Sequence, residues 1–114
     1  MKKAEKNEIW LQNDEIEFEV IGKGAVRKIL SYEKSAMCVE NHFVAKSIGP
    51  VHVHPHTQIA YVTEGVFEFQ VNDEKRVIKK GDSVLVPANI PHGCLCLEDG
   101  IIVDFFTPMR EDFV

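Results

Sequence analysis

No run of residues in this chain approaches the ~20 apolar positions that a membrane-spanning helix needs. Nor is there an excess of positive charge to draw it to a phosphate backbone. Lysine and arginine number 13 against 18 aspartates and glutamates, a formal net charge of −5. Nucleic acid and anionic membrane surfaces are therefore poor partners, and an anionic ligand would need a local cation. The opening MKKAEKNEIWLQNDEIEFEV starts basic but carries a charge every few residues and no apolar stretch, so it does not read as a secretory signal. The expected location is the cytoplasm. Cysteine is scarce too. Cys38, Cys94 and Cys96 are an odd number, which without an export signal argues against a disulfide framework. Cys94 and Cys96 share one face of any strand that holds them and read as small buried hydrophobes, with a soft supporting role near His92 as the lesser alternative. Repeats, low-complexity tracts and a sustained 3.6-residue period are also absent, so no helical architecture competes with a β reading.

What is present fits one domain, residues 1–114, with 45% apolar and 27% charged residues. A chain of this length buries roughly two-thirds of its unfolded surface, enough for a single core. From Ala25 to Phe106 short apolar runs alternate with turn residues, the pattern of an antiparallel sandwich or barrel. The expected strands are Ala25–Ser31, Met37–Phe43, Gly49–His54, Gln58–Thr63, Val66–Val71, Arg76–Ile78, Ser83–Val86, Gly93–Leu97 and Ile101–Phe106. Connectors fall at Glu64-Gly65, Asn72-Asp73, Lys80-Gly81-Asp82, Pro87-Ala88-Asn89 and Asp99-Gly100. Val66-Phe-Glu-Phe-Gln-Val71 alternates cleanly, with Phe67, Phe69 and Val71 on one face. Ile101-Ile-Val-Asp-Phe-Phe106 is instead apolar on both faces, interrupted only by Asp104. In a small antiparallel protein one face normally meets water, so a second layer is expected over this strand: the N-terminal segment or a second subunit of a homodimer. Residues 1–15 read as an N-terminal arm, with Trp10 as its anchor.

The chemistry concentrates in His52-Val-His-Pro-His-Thr-Gln58. His52 and His54 are two apart, so in an extended strand both imidazoles project from one face toward one ion. Pro55 ends that strand, since it cannot donate to a ladder. The chain then turns through His56, expected to remain a turn residue, and Gln58 returns toward the same point. His92, after the turn-rich GDSVLVPANIPHG, is the fourth candidate. Three imidazoles and an amide suit zinc, nickel, iron or copper, with manganese acceptable at mixed nitrogen and oxygen sites. The competing reading, a chance pair of exposed histidines, does not explain Gln58 and His92.

These residues resemble the two cupin motifs. Gly49-Pro-Val-His52-Val-His54-Pro-His-Thr-Gln58, closed by Gly65, is similar to the first: a glycine, an HxH pair, a carboxylate after three residues and a glycine after six more. Gly81-Asp-Ser-Val-Leu-Val-Pro87-Ala-Asn-Ile-Pro-His92 is similar to the second. The opening glycine stands closer to the HxH pair than usual, Asn89 replaces a motif glycine and Cys96 an asparagine. The resemblance implies a small all-β antiparallel jelly-roll (cupin) barrel, with His52, His54, Gln58 and His92 binding a divalent transition metal (Zn, Ni, Mn or Fe). Glutamine in the carboxylate position points to the pectin-degradation cupins that linearise unsaturated uronates. GAVRKIL before the metal strands and the ending Asp104-Phe-Phe106-Thr-Pro-Met-Arg110-Glu-Asp-Phe resemble that subgroup too. By this resemblance Asp104, Phe106 and Arg110 line the active site.

The residues themselves are consistent with this. Asp104 and Phe106 alternate onto one face of an apolar strand, where an unpaired buried carboxylate costs several kcal/mol unless it is neutralised. Its pKa is then raised by desolvation. The alternative is an ordinary ion pair with Arg110 or Arg27. A guanidinium such as Arg110 suits a substrate carboxylate, and Phe106 can offer an apolar wall to a sugar ring. Tyr61 and Thr63 are further candidates for cavity residues. Three histidines and a glutamine leave the metal charge uncompensated, so an anionic partner is expected; the resemblance implies a small anionic sugar, a 4,5-unsaturated uronate monosaccharide opened to linear 5-keto-4-deoxyuronate, with Asp104 moving the proton. The rivals are a metal-dependent cupin dioxygenase and a non-catalytic sugar-binding cupin.

Overall fold

Strands form where the sequence alternates, and a computed structural model, describing residues 1–114, contains eight. They are β1 (Glu19–Gly22), β2 (Ala25–Glu33), β3 (Ala36–Phe43), β4 (Ile48–His52), β5 (Thr57–Val71), β6 (Glu74–Lys79), β7 (Ser83–Val86) and β8 (His92–Thr107). All pair antiparallel, in the order β1-β2-β3-β8-β5-β6, with β4 on β8 and β7 on β5. This is the all-β jelly-roll arrangement expected from the sequence.

The differences lie at two expected turns. Glu64-Gly65 and Asp99-Gly100 do not end strands; they are bends inside β5 and β8, which pair through both bends. Gly65 has φ +83°, and a Cβ there would lie 2.5 Å from the Asp99 carbonyl oxygen. A Cβ on Gly100 would lie 2.5 Å from the Glu64 carbonyl oxygen. The two backbones thus cross at a point with no room for side chains, and the register shifts between Val62 and Phe67. Such irregularities bend and twist a strand without ending its pairing, so β5 and β8 each serve both halves of the barrel. β4 stops at His52 rather than His54, and β1 was not expected, being largely exposed.

Side chains pointing inward from β3, β5, β6, β7 and β8 build the core. Ala60, Val62, Phe67, Phe69, Ile78, Val86, Cys96 and Ile102 form one cluster, and Met37, Val39, Phe106 and Met109 another beside it. Fully burying a side chain such as Phe67 contributes about 1.5–3 kcal/mol. All three cysteines are free. Burial pushes the Cys38 thiol up to about 11 and the Cys94 thiol up to about 12, so both are inert at neutral pH.

The N-terminal segment covers part of the outer surface. Ile16 is 1% exposed and bridges to Lys2, while Lys28 Nζ donates to the Asn13 carbonyl (2.7 Å) and side-chain oxygen (2.9 Å). Asn13 in turn donates to Glu40 at 3.1 Å. Trp10 is not the anchor: it is 86% exposed, and Ile16 does that work. The outer row across β7, β5 and β8 is left open, where Leu85 (62% exposed), Ile59 (46%) and Phe105 (44%) stand side by side in register. No helix is long and apolar enough to cross a membrane.

Candidate metal centre and cavity

Two of the three histidines come from the end of β4 and the extension beyond it, the third from the start of β8. His52 ends β4 and is the register partner of His92, the first residue of β8, with ring centroids 4.3 Å apart. His54 lies beyond the strand, on the extended approach to Pro55, 4.6 Å from the His92 ring and 5.4 Å from that of His52. One nitrogen from each can be chosen so that all three lie within 4.8 Å of one another, close enough to hold a single ion. Gln58, the second residue of β5, places Oε1 2.9 Å from His54 Nε2 and 3.1 Å from His92 Nε2.

The protonation pattern shows what belongs between these groups. Each imidazole spends its Nδ1 hydrogen on a nearby carbonyl: His52 donates to Pro50, His92 to Ile90 (both 2.9 Å) and His54 to His56 (3.1 Å). These bonds fix the tautomer and orient each ring, as outer partners of metal-binding histidines do. Burial pushes His92 down to about 4 and lowers His54, so both are neutral near pH 7. Their Nε2 atoms are then lone-pair acceptors. The amide of Gln58 is oriented by its other end, where Nε2 donates to Asp104 Oδ1 at 2.8 Å, so Oε1 is an acceptor as well. Acceptors therefore face acceptors at hydrogen-bond distance with no proton between them, and a cation is what such a donor set accommodates. The residues present fit a divalent metal ion.

Asp104 is held by amides alone. Besides Gln58, Asn41 Nδ2 donates to its Oδ2 at 2.9 Å and to the Ile102 carbonyl at 3.1 Å. Neither Arg110 nor Arg27 forms an ion pair with it; they bond to Asp112 and Glu19 instead. Desolvation dominates and pushes the Asp104 carboxyl up to about 7, against the lowering effect of Gln58, Asn41 and the more distant Arg110 charge. A carboxyl poised there accepts or donates a proton near neutral pH.

Phe106 follows Asp104 on the inner face and meets the His54 ring edge-on at 5.6 Å. Arg110, buried, holds its guanidinium 5.1 Å from the centre of Phe106 and 4.2 Å from that of Phe113. Its Nε and Nη2 grip Asp112 at 3.1 and 2.9 Å. A cavity of about 610 Å³ opens beside these groups, and His52, Gln58, His92, Asp104, Phe106 and Arg110 help to line it, with His54 packed against Phe106. The structure thus brings together all seven residues singled out from the sequence. Of the other candidates, Tyr61 points outward, and Thr63 bonds to the Ile101 carbonyl away from the cavity. His56 contributes its carbonyl to His54, while its own buried Nδ1 has no partner. Sequence reasoning missed Asn41 and Phe113, and offered Arg27 only as a candidate ion-pair partner of Asp104 rather than as a cavity residue. A signal existed for the first, a lone amide among the inward positions Met37, Val39 and Phe43 of β3.

Comparison with known proteins is consistent with this geometry. Residues 42–106 match the cupin domain model. The chain is 41% identical over 104 residues to the pectin degradation protein KdgF of Dickeya dadantii, covering 90% of this chain and 94% of that one. Among solved structures, KdgF from Halomonas sp. superposes with a TM-score of 0.91 at 33% identity, over 95% of this chain and 100% of the other. An RmlC-like cupin from Shewanella frigidimarina gives 0.93 at 38% identity, over 97% and 100%. With two motif histidines, a motif glutamine and a distant third histidine gathered at one point of a jelly roll, this chain belongs to the cupin family and is similar to its pectin-degradation members.

Proposed function

We propose that this cupin opens the ring of 4,5-unsaturated uronate monosaccharides, giving linear 5-keto-4-deoxyuronate in the breakdown of uronic-acid polysaccharides. The observation that carries the reading is Asp104, a half-buried, desolvated carboxyl without a cationic partner, bonded to Gln58 beside the three histidines and bordering the cavity. Likeness to proteins named for pectin degradation supports the substrate class.

Ring opening is an isomerisation and needs no co-reactant. The anomeric hydroxyl loses its proton, the C1–ring oxygen bond breaks and C1 becomes an aldehyde. The ring oxygen keeps the electron pair as the enolate of C5, and a proton delivered to C4 leaves the C5 ketone. Asp104 as carboxylate takes the first proton and, as the acid, supplies the second, ending as it began. His52, His54, Gln58 and His92 would hold a divalent cation that polarises a substrate oxygen as a Lewis acid. Those four residues contribute no negative charge, which leaves room for an anionic substrate. Arg110 attracts its carboxylate, and Phe106 walls the ring.

The same proposal includes a cytoplasmic location, in keeping with three unbridged thiols, and a second copy of the chain over the open row Leu85, Ile59 and Phe105. The test of function is incubation of metal-loaded protein with an unsaturated monouronate, following loss of its conjugated double bond. No acceleration over the spontaneous reaction overturns the reading. Oxygen consumption with an enol substrate would favour a dioxygenase instead.

A further inference from the structure

The chain is acidic overall, yet among the ionisable lysine, arginine, aspartate and glutamate residues bordering the cavity, Lys23, Arg27, Lys46 and Arg110 are basic and Asp104 is the lone acid. A cleft lined by one sign of charge focuses its field and concentrates counter-ions. Of these cations Lys23 and Lys46 sit exposed at the rim, while the two arginines are inside.

Arg27 projects from β2 beside Asn41, its register partner on β3. Its guanidinium carbon stands 3.7 Å from the centre of the Phe113 ring. Arg110 lies 4.2 Å from the centre of the same ring, so two like charges share one aromatic side chain. Phe113 meets Phe106 edge-on at 5.8 Å, and Phe106 meets His54. An unbroken row of contacts thus runs from Arg27 to the histidine cluster.

The two guanidiniums are not equally available. Arg110 already presents its Nε–Nη2 edge to Asp112. Arg27 bonds to Glu19 through Nε alone (2.5 Å), and no protein group accepts from its two terminal nitrogens. Stacking on Phe113 fixes the plane of those nitrogens, and a fixed planar edge with two free N–H groups matches a carboxylate bidentately.

We propose that Arg27 is a specificity-determining residue of this site: with Arg110 across Phe113, it forms a two-guanidinium clamp that selects the carboxylate of a uronate over the neutral hexose. The proposal rests on the uronate reading above and names the residue that enforces it.

The test uses the full-length, metal-loaded protein and the variants Arg27→Gln and Arg27→Lys. Loss of a charged bidentate contact is expected to raise KM for the unsaturated monouronate about 10- to 100-fold in Arg27→Gln, with kcat within about twofold. Arg27→Lys, which keeps the charge but not the fork, falls between. Calorimetric titration with D-galacturonate and D-galactose provides a readout that a merely structural role would not move. Wild type binds the uronate in preference, and Arg27→Gln loses that preference without loss of affinity for galactose. An unchanged KM and unchanged preference in both variants overturn the clamp. So does equal loss of both sugars, which would mark Arg27 as structural. If wild type shows no turnover yet prefers galacturonate in an Arg27-dependent way, the ring-opening reading fails and the clamp stands.

Discussion

Around Gln58 and Asp104 the two faces of the β5–β8 pair invert the distribution of side chains seen in the rest of the core. Inside, Gln58, Asp104 and His92 are polar, enclosed and hydrogen-bonded to one another or to near neighbours. Outside, Ile59 and Phe105, the very next residues after Gln58 and Asp104, are apolar and exposed, as is Leu85 beside them on β7. Enclosing polar groups and exposing apolar ones both cost free energy relative to the reverse. Each face therefore costs the isolated chain stability: the inner one gathers groups able to do chemistry, and the outer one leaves an apolar row uncovered.

The sharpest way to break this comparison is at the inner carboxyl. Asp104→Ala should lower turnover of the unsaturated monouronate by about 10²–10⁴-fold while metal content, measured by elemental analysis, stays at the wild-type level. Full activity would remove Asp104 from the proton-transfer role. Next in size is Gln58→Glu. The new carboxylate should keep or tighten the metal but weaken the anionic substrate, with KM rising about tenfold, or ~1.4 kcal/mol. It would also replace the amide donor 2.8 Å from Asp104 with a like charge and push the Asp104 carboxyl higher still, moving the acid limb of the pH–rate profile upward. Unchanged KM would argue against the charge account.

On the outer face, Phe105→Glu should convert a dimer to a monomer in sedimentation analysis while changing turnover less than about twofold, since Phe105 points away from the cavity; rates this close reflect well under 1 kcal/mol. A monomeric wild type would end the second-copy proposal. The smallest effect concerns pH and stability in metal-free protein. The Asp104 carboxyl is raised from 3.8 to about 7, so its contribution is fully present below about pH 4 and is lost as pH rises through 7. His92, lowered from 6.5 to about 4, acts in the opposite sense, its contribution being lost as pH falls through 4. The two slopes oppose each other in the wild type. Thermal melts of Asp104→Asn between pH 4 and 8 should therefore show stability rising with pH relative to wild type, and parallel curves would contradict a raised Asp104.

Much of this architecture is legible in the order of residues. Alternation places Phe67 and Phe69 inside, the HxH spacing and Pro55 position two ligand candidates, and Asp104 stands out as a charge in an apolar strand. The bends at Gly65 and Gly100 are not legible, because a glycine that allows a turn and a glycine that allows two backbones to touch look the same locally. Trp10 misleads for a related reason: its size suggests an anchor, but which apolar residue of an arm is buried depends on what surface lies beneath it.

The sequence by itself determined the alternating strands, the four candidate ligands and the neutral amide that leaves their charge uncompensated, since side-chain chemistry and a period of two are local properties. Only the tertiary structure decided that Gln58 Oε1 meets the Nε2 atoms of His54 and His92 as acceptor against acceptor, with His52 beside them. It alone brought Asn41 to Asp104 and stacked Arg27 and Arg110 on one ring at the cavity. Those relations join residues dozens of positions apart, and they exist only once β2, β3, β5, β8 and the chain end have closed around a common space.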